Sequence, residues 1–494
     1  MSGELTPGEL TLGRWIRDRA RTTPDRVAIE FLGAETTYAE LDERSERVAA
    51  GLLAAGLKRG DRVATLTATS TDHVVVFFAC AKAGLILLPL NWRLAEPELA
   101  YQLADAEPAV LLSSDEYATL AASLHERSAR LEELVADSNY LSPGSGSRDD
   151  DGLLLVYTSG TTGRPKGALL THANCFWTNL SFDLATGISG DDVVLAVLPQ
   201  FHCGGWNVQP LLAWWKGAKV VLEPSFDASR ALALIAEKRV TTMMGVPANY
   251  LFMSETPEFE RADLSSLRRA VVGGAPMPES LLASWQQRGV DIVQGYGLTE
   301  AAPNVLCLPP EDAVRKRGFA GKPYPHVDVE LRDPETDEQV DGPGEGELVV
   351  RGPNVFAGYW RNPEATEAVL RDGWLYTGDV AMRDDEGYYR IVGRTKDMII
   401  SGGENVYPAE IENVLHAHPA VREAAVVGVP DERWGEACVA FVVLADDTTE
   451  GELLEHCRAA LARYKVPKSV RFVDSLPRNS LGKVVKSELV ELVR

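Results

Sequence analysis

The sequence predicts an α/β protein: a large amino-terminal body of packed α/β subdomains with a β-rich subdomain, followed by a small α+β domain. Three observations carry this prediction. Helical patterns such as YAELDERSERVAAGLLAAGL alternate with short apolar runs such as RVATLTA and LILLPLN in the first third, as helices crossing over a mainly parallel sheet do. The stretch 327–360, VDVELRDPETDEQVDGPGEGELVVRGPNVFAGYW, alternates in short turn-punctuated segments that read as antiparallel strands. The tail after YYRIVGRTKDMII carries helical patterns (PAEIENVLHAH, GELLEHCRAALARY) and strand patterns (EAAVVGVP, ACVAFVVL) of its own.

In chain order, the Ser/Gly/Asp-rich segment 136–152 reads as a surface linker into a buried strand, LLLVYTS. A second α/β stretch covers about 190–310, then the β-rich segment, then the tail. The division expected is 1–395 and 396–494. At 494 residues the chain is long for one core, and about 150 residues per domain suggests roughly three packed units. No repeat with a period of about 20 to 50 residues is present.

With 45% hydrophobic and 24% charged residues the composition is that of a globular protein. A net charge of −23 opposes nonspecific binding to nucleic acid or an acidic membrane, so a polyanionic ligand needs a local cationic site. The six cysteines form no CxxC pair, which argues against a zinc site or a disulfide framework. The amino terminus lacks the apolar core of a signal peptide and no long uncharged apolar run follows, so a cytoplasmic protein without an integral membrane segment is expected.

One loop invites a chemical reading. YTSGTTGRPKGA (157–168) follows an apolar strand and combines glycines, hydroxyls and a lysine, the parts with which backbone N–H groups and a point charge hold phosphate. Counted from Gly160 it fails as a Walker A loop, because Pro165 stands at the glycine before Lys166 and Gly167 at the magnesium-binding hydroxyl.

That loop resembles the phosphate loop of the adenylate-forming superfamily: acyl-CoA synthetases, nonribosomal adenylation domains and luciferases. Four further stretches resemble the family in the same order: GYGLTE (295–300), YTGD (376–379), GRTKDMIISGGENVYPAEIE (393–412) and LPRNSLGKVVK (476–486). The resemblance, closest to a free-standing bacterial acyl-CoA ligase, implies a carboxylic acid activated by ATP to acyl-AMP with pyrophosphate release, then transferred to the thiol of CoA.

By the same resemblance, Thr158, Ser159, Gly160, Thr161, Thr162, Gly163 and Lys166 follow the β- and γ-phosphates, in a loop that closes and reopens. Gly274, Ala275 and Pro276 flank the adenine, Tyr296 stacks on it, Thr299 bonds the α-phosphate and Glu300 ligates Mg²⁺. Asp379 holds the ribose hydroxyls and Arg394 reaches the ribose or phosphate. Lys483 bridges the acyl carboxylate and the α-phosphate, and Lys396 is the hinge about which the mobile tail turns after adenylation, bringing Gly402 and Gly403 to the thiol's path. Asn479 departs from the family's usual threonine.

For the acid, residues 198–227 resemble the family's pocket segment, which implies that His202 occupies the aromatic position beside the carboxylate, or else is a core histidine. Trp206 is a gate, or packs against Trp214 and Trp215. Gly245, Gly273, Gly295 and Ala302 belong to the pocket stretches, whose glycines mean a roomy tunnel or backbone approach to ATP. These stretches hold no Arg or Lys for a second carboxylate and no Asp for an α-amino group, which disfavours dicarboxylates and amino acids and leaves a neutral fatty or aryl acid. For the acceptor, Trp434 falls where relatives stack the CoA adenine, and Arg93 and Lys468 are placed for its phosphates. Two alternatives remain open: a stand-alone enzyme loading a carrier-protein thiol, and an inactive nucleotide-binding or interaction protein. Retention of Lys166, Glu300, Asp379, Arg394 and Lys483 together speaks against the latter. A homodimer is left open.

Overall fold

The structure, a computed structural model, describes residues 10–136, 147–158, 164–394, 397–401, 404–431, 435–461, 463–479 and 482–493. Among them a nine-stranded and a seven-stranded sheet form the body. Between them lies the helix Thr71–Ala83, nearly all apolar and buried from His73 to Ala83. Such a helix has no solvent face because sheets or helices cover it all round.

In the nine-stranded sheet, Val193–Ala196, Thr242–Gly245, Arg269–Val272 and Ile292–Gly297 run parallel as successive neighbours. Register puts Gly245 opposite Val272, and Val272 opposite Gln294. Three strands therefore end side by side, and the loops leaving them meet at one edge, where open α/β sheets bind ligands.

In the seven-stranded sheet, Gly152–Thr158 pairs antiparallel with Lys166–Thr171, Thr158 lying opposite Lys166. The strands that flank the motif thus pair as an antiparallel hairpin, and the helix His172–Thr186 follows the second strand. That geometry differs from a Walker loop, which feeds a helix N-terminus directly. The segment expected as a surface linker is anchored where it is described. The buried Ser147 hydroxyl donates to the carbonyl of Ala81 at 2.7 Å.

The β-rich expectation holds as a five-stranded antiparallel sheet built on Gly344–Arg351 and Trp374–Arg383. The tail forms another five-stranded sheet, with Val421–Asp431 and Gly435–Leu444 as its long hairpin and the helices Pro408–His416 and Glu450–Ala460 beside it. Its apolar clusters, one around Val426, Ala440 and Leu453 and another around Phe441 and Leu489, draw only on tail residues. The tail therefore has a core of its own, as a separate domain requires.

Candidate active site

The loops at the parallel strand ends carry most of the expected residues. Gly245 closes one strand, and Gly273 and the exposed Gly274, Ala275 and Pro276 leave the next. A Cβ on Gly273 would lie 2.9 Å from the Met244 methyl and 3.3 Å from the Gly295 carbonyl, so a side chain here would displace the methionine end and crowd the next strand. Gly297 is more constrained, since a Cβ there would fall 1.5 Å from the Pro303 carbonyl. Ala302 is buried in the left-handed region, at φ 60°.

Tyr296 and Asp379 come from different sheets and join directly. The phenol donates to Asp379 Oδ2 at 2.5 Å, and Arg394 Nε donates to Oδ1 at 3.0 Å. Arg394 and Asp379 also face each other as β-sheet partners. Asp379 is only 6% exposed, so a buried carboxylate is held by one neutral and one cationic donor. Burial, then the charge of Asp379, raises the Tyr296 phenol well above its ordinary range and keeps it a donor. Each carboxylate oxygen retains a second lone pair for a ligand hydroxyl.

Glu300 faces the hairpin. Tyr359 donates to its Oε1 at 2.8 Å and the Thr158 hydroxyl lies 3.5 Å away. Tyr359 arrives through the short strand Gly358–Tyr359, which pairs with Lys166–Thr171, and the Lys166 ammonium sits over its ring at 5.1 Å. The expected Thr158, Lys166 and Glu300 therefore come together, with Tyr359 between them. Glu300 fits Mg²⁺, which commonly takes one or two carboxylates with substrate phosphates and water.

His202 lies on the loop after Val193–Ala196, and its Nε2 is buried without a partner among the described residues. Burial, then the positive charges of Lys483 and Arg93, pulls it down to about 3, so the ring is neutral. Next to it, the buried Cys203 thiol donates to the Thr299 hydroxyl at 3.3 Å and burial pushes it up to about 11. This leaves the Thr299 proton free to point elsewhere.

Lys483 enters from the tail. It is half-buried, and a Cβ on Gly274 would sit 3.7 Å from its Cε. Burial, then the Arg394 guanidinium, draws the ammonium below the ordinary lysine range, against the opposing pull of Asp379 and Glu300. Its turn is clamped by the residue that departs from the family pattern. Asn479 Oδ1 accepts the Lys483 N–H at 3.0 Å, and the Asn479 N–H donates to the Lys483 carbonyl at 2.9 Å.

Other expectations fare differently. Trp206 is fully buried, donates its indole N–H to the Gln200 carbonyl at 2.6 Å and stacks on Phe77 at 4.5 Å. An indole held this way is packed as a core side chain, the second of the two readings its sequence position offered. Its ring partner is Phe77, while Trp214 packs on Phe78 and Trp215 stacks on Trp15, all within or against one apolar cluster. Arg93 lies over the rings of Trp92 and Phe201, beside His202. Lys468 is largely exposed on the tail and paired with Asp431. Ser159, Gly160, Thr161, Thr162, Gly163, Lys396, Gly402, Gly403 and Trp434 lie outside the described residues.

The sequence matches the family model described as AMP-binding enzyme over residues 16–360, and the AMP-binding enzyme C-terminal domain over 410–483. The chain belongs to the AMP-binding enzyme family. It is similar to a feruloyl-CoA synthase of an Amycolatopsis species, 46% identical and covering 97% of this chain and 98% of the relative. It is also similar to an indoleacetate–CoA ligase of Aromatoleum aromaticum, at 42% identity with 98% of each chain covered. Among solved structures it resembles the o-succinylbenzoate CoA synthetase of Bacillus subtilis in complex with ATP and magnesium ion: TM-score 0.88, 33% identity, 98% of this chain and 99% of that one covered. This AMP-binding enzyme is an AMP-forming acid–CoA ligase, as its five motifs imply. No helix among the described residues is long and apolar enough to cross a membrane.

The family resemblance marked Lys483, Glu300 and Asp379, but the sequence reading missed Tyr359, Cys203 and the direct Tyr296–Asp379 bond. Tyr359 had a faint signal in its place within AGYW, at the end of the β-rich stretch. Cys203 had none, because an isolated cysteine reads as a small core residue.

Proposed function

We propose that the cleft converts a neutral apolar carboxylic acid, aryl or fatty, to its adenylate with Mg²⁺·ATP, and passes the acyl group to the thiol of CoA. The observation that carries this is the entry of Lys483 from the tail into a cleft whose other charged groups, Arg394, Asp379 and Glu300, all come from the body. A carboxylate attacking a phosphate brings two anions together, so the catalyst must place positive charge where negative charge builds.

In this reading Asp379 receives the ribose hydroxyls, with Tyr296 and Arg394 fixing its orientation. Thr299, relieved by Cys203 of having to donate inward, turns its proton to the α-phosphate. Glu300, oriented by Tyr359, would hold Mg²⁺ together with phosphate oxygens; the ion supplies charge neutralisation when bound. Lys166 and the loop 158–163 follow the departing phosphates. Lys483 spans the acid and the α-phosphate, and its depressed basicity marks an ammonium prepared to meet anions. His202 stays neutral and flanks the carboxyl group.

The acid's apolar part would rest against Met244, Gly245, Gly273 and Gly295, where the described stretches offer no cation for a second carboxylate. The aryl acids in the relatives' names, ferulate and indoleacetate, suit such a slot. After adenylation the tail, 396–494, turns about Lys396, and Arg93, Gly402, Gly403, Trp434 and Lys468 serve CoA. The test is pyrophosphate release with CoA across ferulate, indoleacetate, fatty acids of graded length, a dicarboxylate and amino acids. A neutral acid is expected to be fastest, with AMP and acyl-CoA formed in equal amounts. Preference for a dicarboxylate or an amino acid overturns the pocket reading.

A further inference from the structure

Lys483 can act only while the tail is seated on the body, and one ion pair across the boundary is built for that seating. Arg422, in the tail strand Val421–Asp431, grips Glu255 of the body through two parallel bonds, Nε to Oε1 at 2.6 Å and Nη2 to Oε2 at 2.7 Å. Glu255 caps the carboxyl end of the helix Pro247–Ser254. That helix follows the strand Thr242–Gly245 and so belongs to the wall of the cleft. A planar two-point grip fixes direction as well as distance, unlike a single lysine contact.

The grip is wired to the lysine. The residue after Arg422, Glu423, pairs with Arg478, and Arg478 Nη1 donates to the Gly482 carbonyl at 2.6 Å, immediately before Lys483. Residues 478 and 484 are bridged, so this contact closes the turn that presents the lysine. The path runs from Glu255 through Arg422, Glu423 and Arg478 to the Lys483 turn. A second contact, the Ser280 hydroxyl to the His416 carbonyl at 3.4 Å, is longer and single.

We infer that Glu255 and Arg422 are a positioning pair that holds the tail in the orientation for adenylation and lets go for thioester formation. This rests on the acid-activating reading of the cleft. The pair is about one-third exposed on both sides, 39% and 35%, so it can re-form in water without a large desolvation barrier. A contact present in only one of two orientations shifts their populations and therefore the two half-reactions in opposite senses.

The test uses the full chain with whichever of ferulate and indoleacetate releases pyrophosphate faster. Glu255→Ala and Arg422→Ala are each expected to slow acid-dependent ATP–pyrophosphate exchange by about two- to fivefold, the upper part of the range open to a surface pair with good two-point geometry. Thioester formation from the corresponding supplied acyl-adenylate and CoA should be unchanged or faster. The exchanged pair Glu255→Arg/Arg422→Glu should recover most of the exchange rate. Equal loss in both half-reactions, no loss in exchange, or failure of the exchanged pair to recover overturns the inference. The partners lie on separately packed cores, so if one alanine variant misfolds the other still decides. Failure of the underlying reading would show differently, as ATP–pyrophosphate exchange that survives Lys483→Ala.

Discussion

The body and the tail hold their active groups in opposite ways. In the body, Gly245, Gly273, Tyr296 and Asp379 sit at or beside the ends of paired strands, where register and backbone hydrogen bonds fix them. In the tail, Lys483 rides on a short turn tied by side chains, Asn479 to its N–H and Arg478 to the neighbouring carbonyl. A site assembled from a sheet edge and a tethered turn can be completed or opened by moving one part, with no cost to either core. Group transfer in two steps at one cleft needs that asymmetry.

The sharpest way to break the contrast is Lys483→Ala. Removing a positioned charge from a water-poor site typically costs about 10²- to 10³-fold, and acid-dependent ATP–pyrophosphate exchange should fall by that much. Thioester formation from supplied acyl-adenylate should survive, because in the proposed mechanism the lysine acts in only one orientation of the tail. A body residue should behave differently. Asp379→Asn weakens charge-assisted bonds worth about 1.5–3 kcal/mol, so KM for ATP should rise by about 10- to 100-fold. Use of the supplied acyl-adenylate should weaken too, since both substrates carry the ribose. An effect confined to one step would mean that the body also changes between steps.

The pH dependence of stability sharpens the comparison from another side. Burial holds His73 and His172, both in the body, at about 4. An unfolded histidine titrates near 6.5, so between about 6.5 and 4 the unfolded chain binds more protons and the native state loses stability as pH falls. At pH 5 each histidine should cost up to about 2 kcal/mol, and His172→Gln should flatten the decline in thermal unfolding between pH 7.5 and 5. The smallest effect expected is that of Asn479→Ala. Loss of one bond to the Lys483 N–H, worth about 1 kcal/mol, should slow exchange by about fivefold without touching the second step, and Asn479→Thr should restore it.

Much of this was legible in the residues. Pro165 and Gly167 excluded a Walker loop, and the hairpin pairing Thr158 with Lys166 supplies the structural reason. The alternation of helices with apolar runs gave the layered body, and the tail's own strand and helix patterns gave a domain with its own core. What failed was partner choice. Trp206 sits four residues after His202, yet the indole turns into the core onto Phe77, because sequence distance does not say which face of the short helix Gly204–Asn207 is covered. The Tyr296–Asp379 bond joins residues 83 apart on separate sheets, and the Arg422–Glu255 grip spans 167.

The sequence by itself determined the acid-activating family and marked, through the motifs it shares with that family, the loop proposed to follow phosphate and the lysine proposed to be decisive, because local motifs record which donors, charges and backbone freedoms a reaction needs. Only the tertiary structure decided that Lys483 stands in the cleft, that Tyr359 orients Glu300, that Cys203 frees the Thr299 proton and that an asparagine clamps the lysine's turn. Those are relations between groups distant in the chain or facing each other across a turn. They follow from packing and register, which no single stretch of residues encodes.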